Sequence, residues 1–241
     1  MITSKHNETL KLIRRLAERK HRLREGLFVT EGEDLYEAGI AAGAAPAAVL
    51  SEAGSGLVGE EVPRDLLDSV SAMGSGSRLI AVWPIAVTEA PGSMGCVYLH
   101  GLADPGNVGA VIRSTHALAE ACVVLGPGCA DPHSPKAARA SMGSIFATEI
   151  VRCGLERTPS PRIALVAHGG DEPQPREGGF TLCLGAEREG LPAGVTDLCD
   201  ELWTIPLRPG GAESLNVAAA GAIALERIGS AAVEEGRDEH A

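Results

Sequence analysis

The sequence predicts an α/β protein in which a small N-terminal α/β domain precedes a second domain built on a parallel sheet. Apolar strands alternate with helices over residues 96–230, which is typical of a parallel sheet. The first ninety residues have their own strand and helix pattern, headed by a basic helix. A stretch without apolar periodicity, VTEAPGSMG at 87–95, separates the two. We therefore expect domains at 1–88 and 96–230, a linker at 89–95 and a charged, unstructured tail at 231–241.

The N-terminal domain contains two predicted helices and three predicted strands. Residues 4–20 place Leu10, Ile13, Leu16 and Ala17 on one side of an amphipathic helix, with basic residues around the other. A second helix spans 33–43 and ends at Gly43. The expected strands are LFVTEG (27–32), AAVL (47–50) and RLIAVW (78–83).

The second domain alternates between the two kinds of element. The predicted strands lie at 96–102, 121–126, 145–151, 162–168, 180–185 and 202–207. Helices are expected at 107–119, at 133–144 and from about residue 217 onward. This order predicts a sheet covered by helices on both faces.

The composition indicates a globular protein of the reducing cytoplasm. Of 241 residues, 44% are apolar and 22% are charged, which is not the composition of a disordered chain. None of the six cysteines forms a C-x-x-C pair, which argues against a zinc ribbon or a disulfide scaffold. The first residues carry charge throughout, so we expect no signal peptide, and no apolar run reaches membrane-spanning length.

Charge is distributed unevenly along the chain. The net charge is −11, but residues 1–25 carry eight basic and three acidic residues, a net +5, which leaves −16 for the rest. A basic end on an acidic body suggests an anionic polymer as partner. A solvated helix face explains the same pattern.

A first candidate cluster, HGLADPGNVGAVIRST at 100–115, lies between a strand and a helix. Parallel α/β folds place ligand sites at such positions. Asn107 and Arg113 are its polar candidates, and an Arg beside a glycine loop suits a phosphate or a developing oxyanion. In the simpler interpretation, Asn107 is a helix cap and Arg113 a surface cation.

Two further clusters follow later strands. LCLGAEREGLP (182–192) contains Gly185, Glu187 and Gly190, and is either a ligand-facing loop or an ordinary strand-to-helix turn. IPLRPGGAESLN (205–216) precedes an alanine-rich helix, with Ser214 and Asn216 near the helix start. It is either a ligand cradle or a helix cap with surplus polar residues. The small residues behind it suit a close helix crossing, a subunit interface or plain core packing.

Several common catalytic signatures are absent from the sequence. The second domain does not open on G-x-G-x-x-G, and the chain contains no P-loop, G-x-S-x-G or H-E-x-x-H. The histidines are isolated, so we expect no metal.

Taken in order, DPGNVGAVIRS, LGAEREGL and IPLRPGGAESLNVAAA resemble the three motifs of the SpoU, or TrmH-like, branch of the SPOUT RNA methyltransferases. The first ninety residues, with SKHN and FVTEGEDL, resemble the family's ribosomal-protein-like substrate-binding domain. This resemblance implies a deep trefoil knot in the second domain, S-adenosylmethionine as cofactor and a homodimer with its active site at the subunit contact. The implied reaction is methyl transfer to a ribose 2′-hydroxyl of RNA.

The resemblance also implies which residues form the site. The catalytic candidates are Arg113, Asn107, Ser214 and Asn216. The cofactor candidates are Gly185, Ala186, Glu187, Gly190, Ile205, Leu207, Ser214, Leu215 and Asn216. The RNA-binding candidates are Lys5, Arg14, Arg15, Arg19 and Arg22. The family often has Arg-Thr-Ala where this chain has Arg113, Ser114 and Thr115, which bears on substrate more than on activity.

A separate N-terminal RNA-binding domain favours ribosomal RNA, specifically 23S, over transfer RNA as the substrate. Enzymes that methylate ribosomal RNA include some that confer resistance to ribosome-targeting antibiotics. The sequence leaves two other functions open. A non-catalytic RNA-binding protein could retain the fold, and a small-molecule enzyme could use the glycine loops for a nucleotide. The second leaves the basic helix unexplained.

Overall fold

The structure is a computed structural model that describes residues 1–72, 74 and 76–238, in two compact units. The first unit combines residues 1–86 with 131–147, and the second combines 87–130 with the chain from 148 onward. The segment 131–147 thus groups with the N-terminal residues, although it lies within the predicted second domain. The linear boundaries predicted from the sequence do not include this excursion, and they stay a prediction.

Helices and strands are interspersed along the whole chain. Residues 1–86 form α1 (Glu8–Leu16), α2 (Arg19–Glu25), β1 (Leu27–Glu31), α3 (Glu33–Ala41), β2 (Ala48–Glu52), β3 (Glu60–Val62), α4 (Arg64–Asp68) and β4 (Leu79–Pro84). The rest forms β5 (Gly95–Leu99), α5 (Pro105–Leu118), β6 (Ala121–Leu125), α6 (Pro135–Ala140), β7 (Ile150–Val151), β8 (Arg162–Leu165), β9 (Phe180–Leu184), α7 (Ala193–Thr196), β10 (Glu201–Trp203) and α8 (Val217–Asp238).

The single helix predicted over 4–20 is two helices, α1 and α2. The chain turns at Glu18, whose backbone is extended. Arg22 Nη1 donates hydrogen bonds to the carbonyl oxygens of Leu16 and Ala17, at 2.7 and 2.8 Å. Because the last carbonyls of a helix have no partner within it, this guanidinium satisfies the end of α1.

The first unit is a four-stranded sheet, ordered β1-β4-β2-β3, with side-chain clusters on both faces. Leu10, Ile13 and Leu16 of α1 pack with Val29 and Val82 on one face. The other face carries Phe28 and Trp83, whose rings contact the side chains of His133 and Phe146 in the segment 131–147. This segment therefore completes an aromatic cluster on the N-terminal sheet.

The second unit is a six-stranded parallel sheet ordered β10-β8-β9-β5-β6-β7. This confirms the predicted α/β class and parallel sheet. Helix α8 packs closely, since a Cβ on Gly221 would lie 2.8 Å from Leu184 Cδ1 and one on Gly229 2.9 Å from the Leu118 carbonyl oxygen. The small residues of α8 thus serve packing within the chain. A second cluster, which includes Cys96, Tyr98, Cys122 and Cys183, is also buried in this unit.

Three predicted elements are shorter or longer than expected. The helix expected over 133–144 is α6 alone, because Met142 and Gly143 adopt positive φ angles of 48° and 88°. The strand expected over 145–151 is reduced to β7 and preceded by a 3₁₀ turn at Ser144–Phe146. Conversely, α8 continues through 231–238, where the sequence predicts a tail without regular structure. The end of that tail, 239–241, lies outside the described residues.

Within the described part of the chain, no helix is both long and apolar enough to span a membrane.

Candidate active site

A cavity in the second unit lies where β10, β8 and β9, three adjacent parallel strands, end. It has a volume of about 480 Å³, within the usual range for small-molecule sites. The loops after the three strands and the first turn of α8 line it. Its lining residues are Leu165–His168, Leu184–Leu191, Ile205, Leu207, Glu213–Leu215, Val217 and Ala220.

The loop after β9 is a tight backbone ring. Ala186 and Gly190 exchange two backbone hydrogen bonds, of 3.1 and 2.9 Å, and Gly190 has a φ of +66°. A Cβ on Gly185 would lie 2.2 Å from the Gly190 carbonyl carbon, so only glycine fits there. The ring leaves Glu187, Arg188 and Glu189 exposed at the cavity.

Three side chains from the three sequence clusters form one hydrogen-bonded chain beside this cavity. Asn107 Nδ2 donates to Glu187 Oε1 at 2.5 Å. Asn216 Nδ2 donates to Asn107 Oδ1 at 3.0 Å. Residues that lie up to 109 positions apart are thus joined, and the arrangement fixes the rim of the cavity.

The two asparagines have different local roles. The helix α5 is capped by Asp104, whose carboxylate accepts from Gly106 N at 2.5 Å, so Asn107 is not the cap. Its amide is therefore available for Glu187 and Asn216. Asn216 Oδ1 does cap α8, because it accepts from Ala218 N at 2.9 Å and Ala219 N at 3.3 Å, while its Nδ2 reaches Asn107.

The structure brings eight of the nine predicted cofactor residues together in the cavity wall: Gly185, Ala186, Glu187, Gly190, Ile205, Leu207, Ser214 and Leu215. The ninth, Asn216, lies between the lining residues Leu215 and Val217. Arg113 is different. It is exposed on α5, it does not line the cavity, and it makes no ion pair with another described residue.

Of the five predicted RNA-binding residues, Lys5, Arg14, Arg15 and Arg19 are exposed. The prediction that Arg22 contacts RNA does not hold, because only 3% of its surface is exposed. Its Nε and Nη2 contact Asp131 Oδ2 at 2.9 and 2.7 Å. A guanidinium held inside the protein by a carboxylate and two carbonyls does not bind RNA.

Sequence reasoning missed one wall of the cavity. Leu165, Val166, Ala167 and His168, at the end of β8, line it together with Arg188, Glu189 and Glu213. The sequence does contain a signal for this wall, because 162–168 is predicted as a strand of the parallel sheet and ligands bind at the carboxyl ends of such strands.

The site has the chemistry of a binding pocket for a small, partly cationic molecule. Three carboxylates, from Glu187, Glu189 and Glu213, line it with one guanidinium, from Arg188. No group of three or more His, Cys, Asp or Glu residues suited to a metal ion occurs among the residues that the structure describes. Cys183, two residues before Gly185, is no nucleophile, because its hydrogen bond with Cys199 and its burial raise its pKa.

Two family models match this chain. The model described as SpoU rRNA Methylase family matches residues 94–226, and the one described as MRM3-like substrate binding domain matches residues 7–80. The first includes the cavity and its rim. The second includes the helices α1 and α2.

Three known proteins illustrate the similarity. The 23S rRNA (guanosine(2553)-2′-O)-methyltransferase RlmP of Bacillus subtilis is 29% identical, over 94% of this chain and 98% of its own. The 23S rRNA (uridine(2479)-2′-O)-methyltransferase of Streptomyces viridochromogenes is 35% identical, over 52% and 48%. The AdoMet-bound rRNA methyltransferase of Sinorhizobium meliloti shares the fold, with a TM-score of 0.81, 24% identity and coverage of 94% and 96%.

Proposed function

The chain belongs to the SpoU rRNA Methylase family, and we propose that it transfers a methyl group from S-adenosylmethionine to a ribose 2′-hydroxyl of 23S ribosomal RNA. The observation that carries this proposal is the Glu187–Asn107–Asn216 chain of hydrogen bonds beside the cavity. It joins all three motifs at one place. Relatives named as 23S rRNA 2′-O-methyltransferases support the choice of substrate.

The cavity fits the cofactor in size and charge. Part of its wall is the backbone ring between Ala186 and Gly190, where a Cβ on Gly185 would clash with the Gly190 backbone. Leu165, Leu207 and Leu215 offer apolar surface for an adenine ring. Glu189 and Glu213 suit the positive charges of an amino group and a sulfonium. The bound cofactor supplies an activated methyl group.

The protein's own residues then align the acceptor and handle its proton. Methyl transfer requires that the 2′-hydroxyl point at the methyl carbon and lose its proton. We assign ribose positioning to Asn107 and Asn216, whose amides are held in fixed orientations by each other and by Glu187. Ser214, exposed in the cavity wall, is a further contact for the ribose.

Arg113 is assigned to the acceptor RNA, where its charge neutralises a phosphate or a developing oxyanion. A guanidinium stays protonated in proteins, which favours this role over that of a base. Because Arg113 does not line the cavity of its own chain, we propose that the enzyme is a homodimer in which Arg113 of one copy serves the cavity of the other.

We also propose the trefoil knot that the family implies, which is a rare exception to the rule against knotted chains. The loop 166–179 supports it, because Asp171 N bonds to Leu202 O of β10 and Arg176 N bonds to Ile228 O of α8. The loop therefore contacts chain segments that both lie after it in sequence. A ribosomal RNA substrate would make the cytoplasm the site of action.

The test is transfer of labelled methyl from S-adenosylmethionine to ribosomal and transfer RNA, assayed separately. We expect label in the ribosomal fraction at a ribose 2′-oxygen, and none with Arg113→Ala, although that variant should bind the cofactor with wild-type affinity. Label in transfer RNA alone would overturn the substrate. Cofactor binding without transfer to RNA or ribosomal assembly particles would indicate a binding protein that retains the fold.

A further inference from the structure

A cluster of three side chains outside the cavity holds the loop that forms one of its walls. Arg176 lies on the loop 166–179, between β8 and β9, whose first residues line the cavity. Its Nη2 donates to Glu201 Oε1 at 2.6 Å and to Oε2 at 2.8 Å. Trp203 Nε1 donates to the same Glu201 Oε2 at 3.0 Å, and the Arg176 guanidinium carbon lies 5.7 Å from the Trp203 ring centroid.

The three groups strengthen one another. Trp203 is buried, and the side chains of Arg176 and Glu201 are exposed by only 24% and 33%. A charge-assisted hydrogen bond between partly buried side chains is stronger than one fully exposed to water. The indole face adds a cation–π attraction for the same guanidinium.

Backbone contacts connect this cluster to the cavity wall. Val166 N donates a hydrogen bond to Trp203 O at 2.8 Å. Asp171 N donates to Leu202 O at 2.9 Å, and Thr204 N donates to Asp171 O at 2.8 Å. Gly170 passes so close that a Cβ there would lie 2.6 Å from Leu202 O. The loop from Val166 to Arg176 is thus attached to β10 at both ends, with Ala167 and His168 facing the cavity between them.

We propose that Arg176 is a positioning residue for the cofactor site. By binding Glu201 and Trp203, it fixes the second half of the loop, so the wall formed by 166–168 is already in place when the cofactor arrives. This inference rests on the proposed function, since it takes S-adenosylmethionine as the occupant. Arg176 is not among the residues that line the cavity, so it acts through the loop: its loss weakens cofactor binding and leaves the methyl-transfer step intact.

The experiment compares Arg176→Met and Arg176→Lys with the control Arg227→Met. Arg227 is an exposed arginine on α8 that pairs with its neighbour Glu226 at 3.8 Å. Calorimetry measures the Kd for S-adenosylmethionine, and steady-state kinetics separates KM from kcat. For Arg176→Met we expect Kd and KM to rise about tenfold, with kcat at saturation within about twofold. Arg176→Lys, which keeps the charge, should recover part of the affinity, and the control should match wild type.

Amide hydrogen exchange in the absence of cofactor tests the positioning step separately. Residues 166–172 should exchange faster in Arg176→Met, and global unfolding in urea should change little. Unchanged Kd and unchanged exchange would overturn the inference, as would a fall in kcat with KM unaffected. Should Arg176→Met fail to fold, the comparison of Arg176→Lys with wild type decides. If wild-type protein binds no S-adenosylmethionine while the loop still loosens in the variant, the proposed function has failed and the positioning role has not.

Discussion

At the scale of single residues, Arg22 and Asp131 form an ion pair that is almost fully buried in the first unit. Burial alone would raise the pKa of Asp131, but hydrogen bonds from His133 and Arg22 outweigh it, and the net effect lowers that pKa well below its ordinary value of 3.8. A carboxyl group with a depressed pKa stabilises the fold above its unfolded pKa, and that contribution is lost as the pH falls. Stability should therefore decline below about pH 4.

Asp131→Asn should remove this contribution and leave Arg22 buried without its counter-charge. We expect a loss of about 3 kcal/mol in the free energy of unfolding at pH 7 and a flatter pH profile below about pH 4, measured by urea unfolding. Glu33→Gln is the control, because Glu33 forms an exposed pair with Arg78 at 2.6 Å and should cost less than about 1 kcal/mol. Equal losses in the two variants would contradict the assignment.

Asn216 joins a structural and a functional role that two substitutions can separate. Asn216→Asp keeps an oxygen to cap α8 but has no N–H for Asn107 Oδ1. We expect near-wild-type stability and about 10- to 100-fold slower methyl transfer. Asn216→Ala should lose the same activity and, in addition, about 1 kcal/mol of stability. Wild-type turnover in the aspartate variant would exclude the hydrogen bond from the mechanism.

The sequence locates Asn107, Glu187 and Asn216 because their motifs keep a fixed order, but it misassigns Arg22. Charge pattern alone does not distinguish Arg22 from its exposed neighbours Arg15 and Arg19. Its partner Asp131 lies 109 residues away, so the burial follows from a tertiary contact that no local pattern encodes.

At the scale of elements, the loop after β9 depends on the close approach of Gly185 to Gly190. Gly185→Ala should open this ring and reduce affinity for S-adenosylmethionine by at least about 100-fold, with a loss of about 1–3 kcal/mol in stability. Gly194→Ala is the matched control, since a Cβ on Gly194 in α7 meets nothing within 4 Å. It should bind normally and be slightly more stable. Calorimetry decides between them.

Long periodic elements are predictable from the sequence, whereas their ends and the short elements are not. The buried strands β5, β6 and β9 and the helix α5 lie close to their predicted positions. The helix break at Glu18 is not encoded by proline or glycine and depends on Arg22 binding the carbonyls of α1. The cavity wall at 165–168 follows a strand that the sequence predicts, but only the strand order shows that β8 ends beside β9 and β10.

At the scale of the whole molecule, the basic charge is concentrated at the N-terminus, although the buried Arg22 is not accessible to RNA. Arg14 donates to Lys5 O and Ser69 Oγ, whereas Arg15 and Arg19 make no ion pair with a described residue. Changing Arg14, Arg15 and Arg19 to Gln should weaken RNA binding and flatten its salt dependence by roughly 0.7–0.9 in log–log slope for each phosphate that is no longer neutralised. Arg78→Gln is the control, because Arg78 is paired with Glu33. An unchanged slope would contradict the docking role.

The grouping of residues 131–147 with the N-terminal unit limits how domains can be exchanged between proteins of this kind. Phe28 and Trp83 pack against His133 and Phe146, so the folded N-terminal unit requires a piece of chain encoded far downstream. A chimera that exchanges residues 1–86 for another substrate-binding domain would leave α6 and its neighbours without their partners. A change of RNA target by domain swapping therefore has to carry both segments at once.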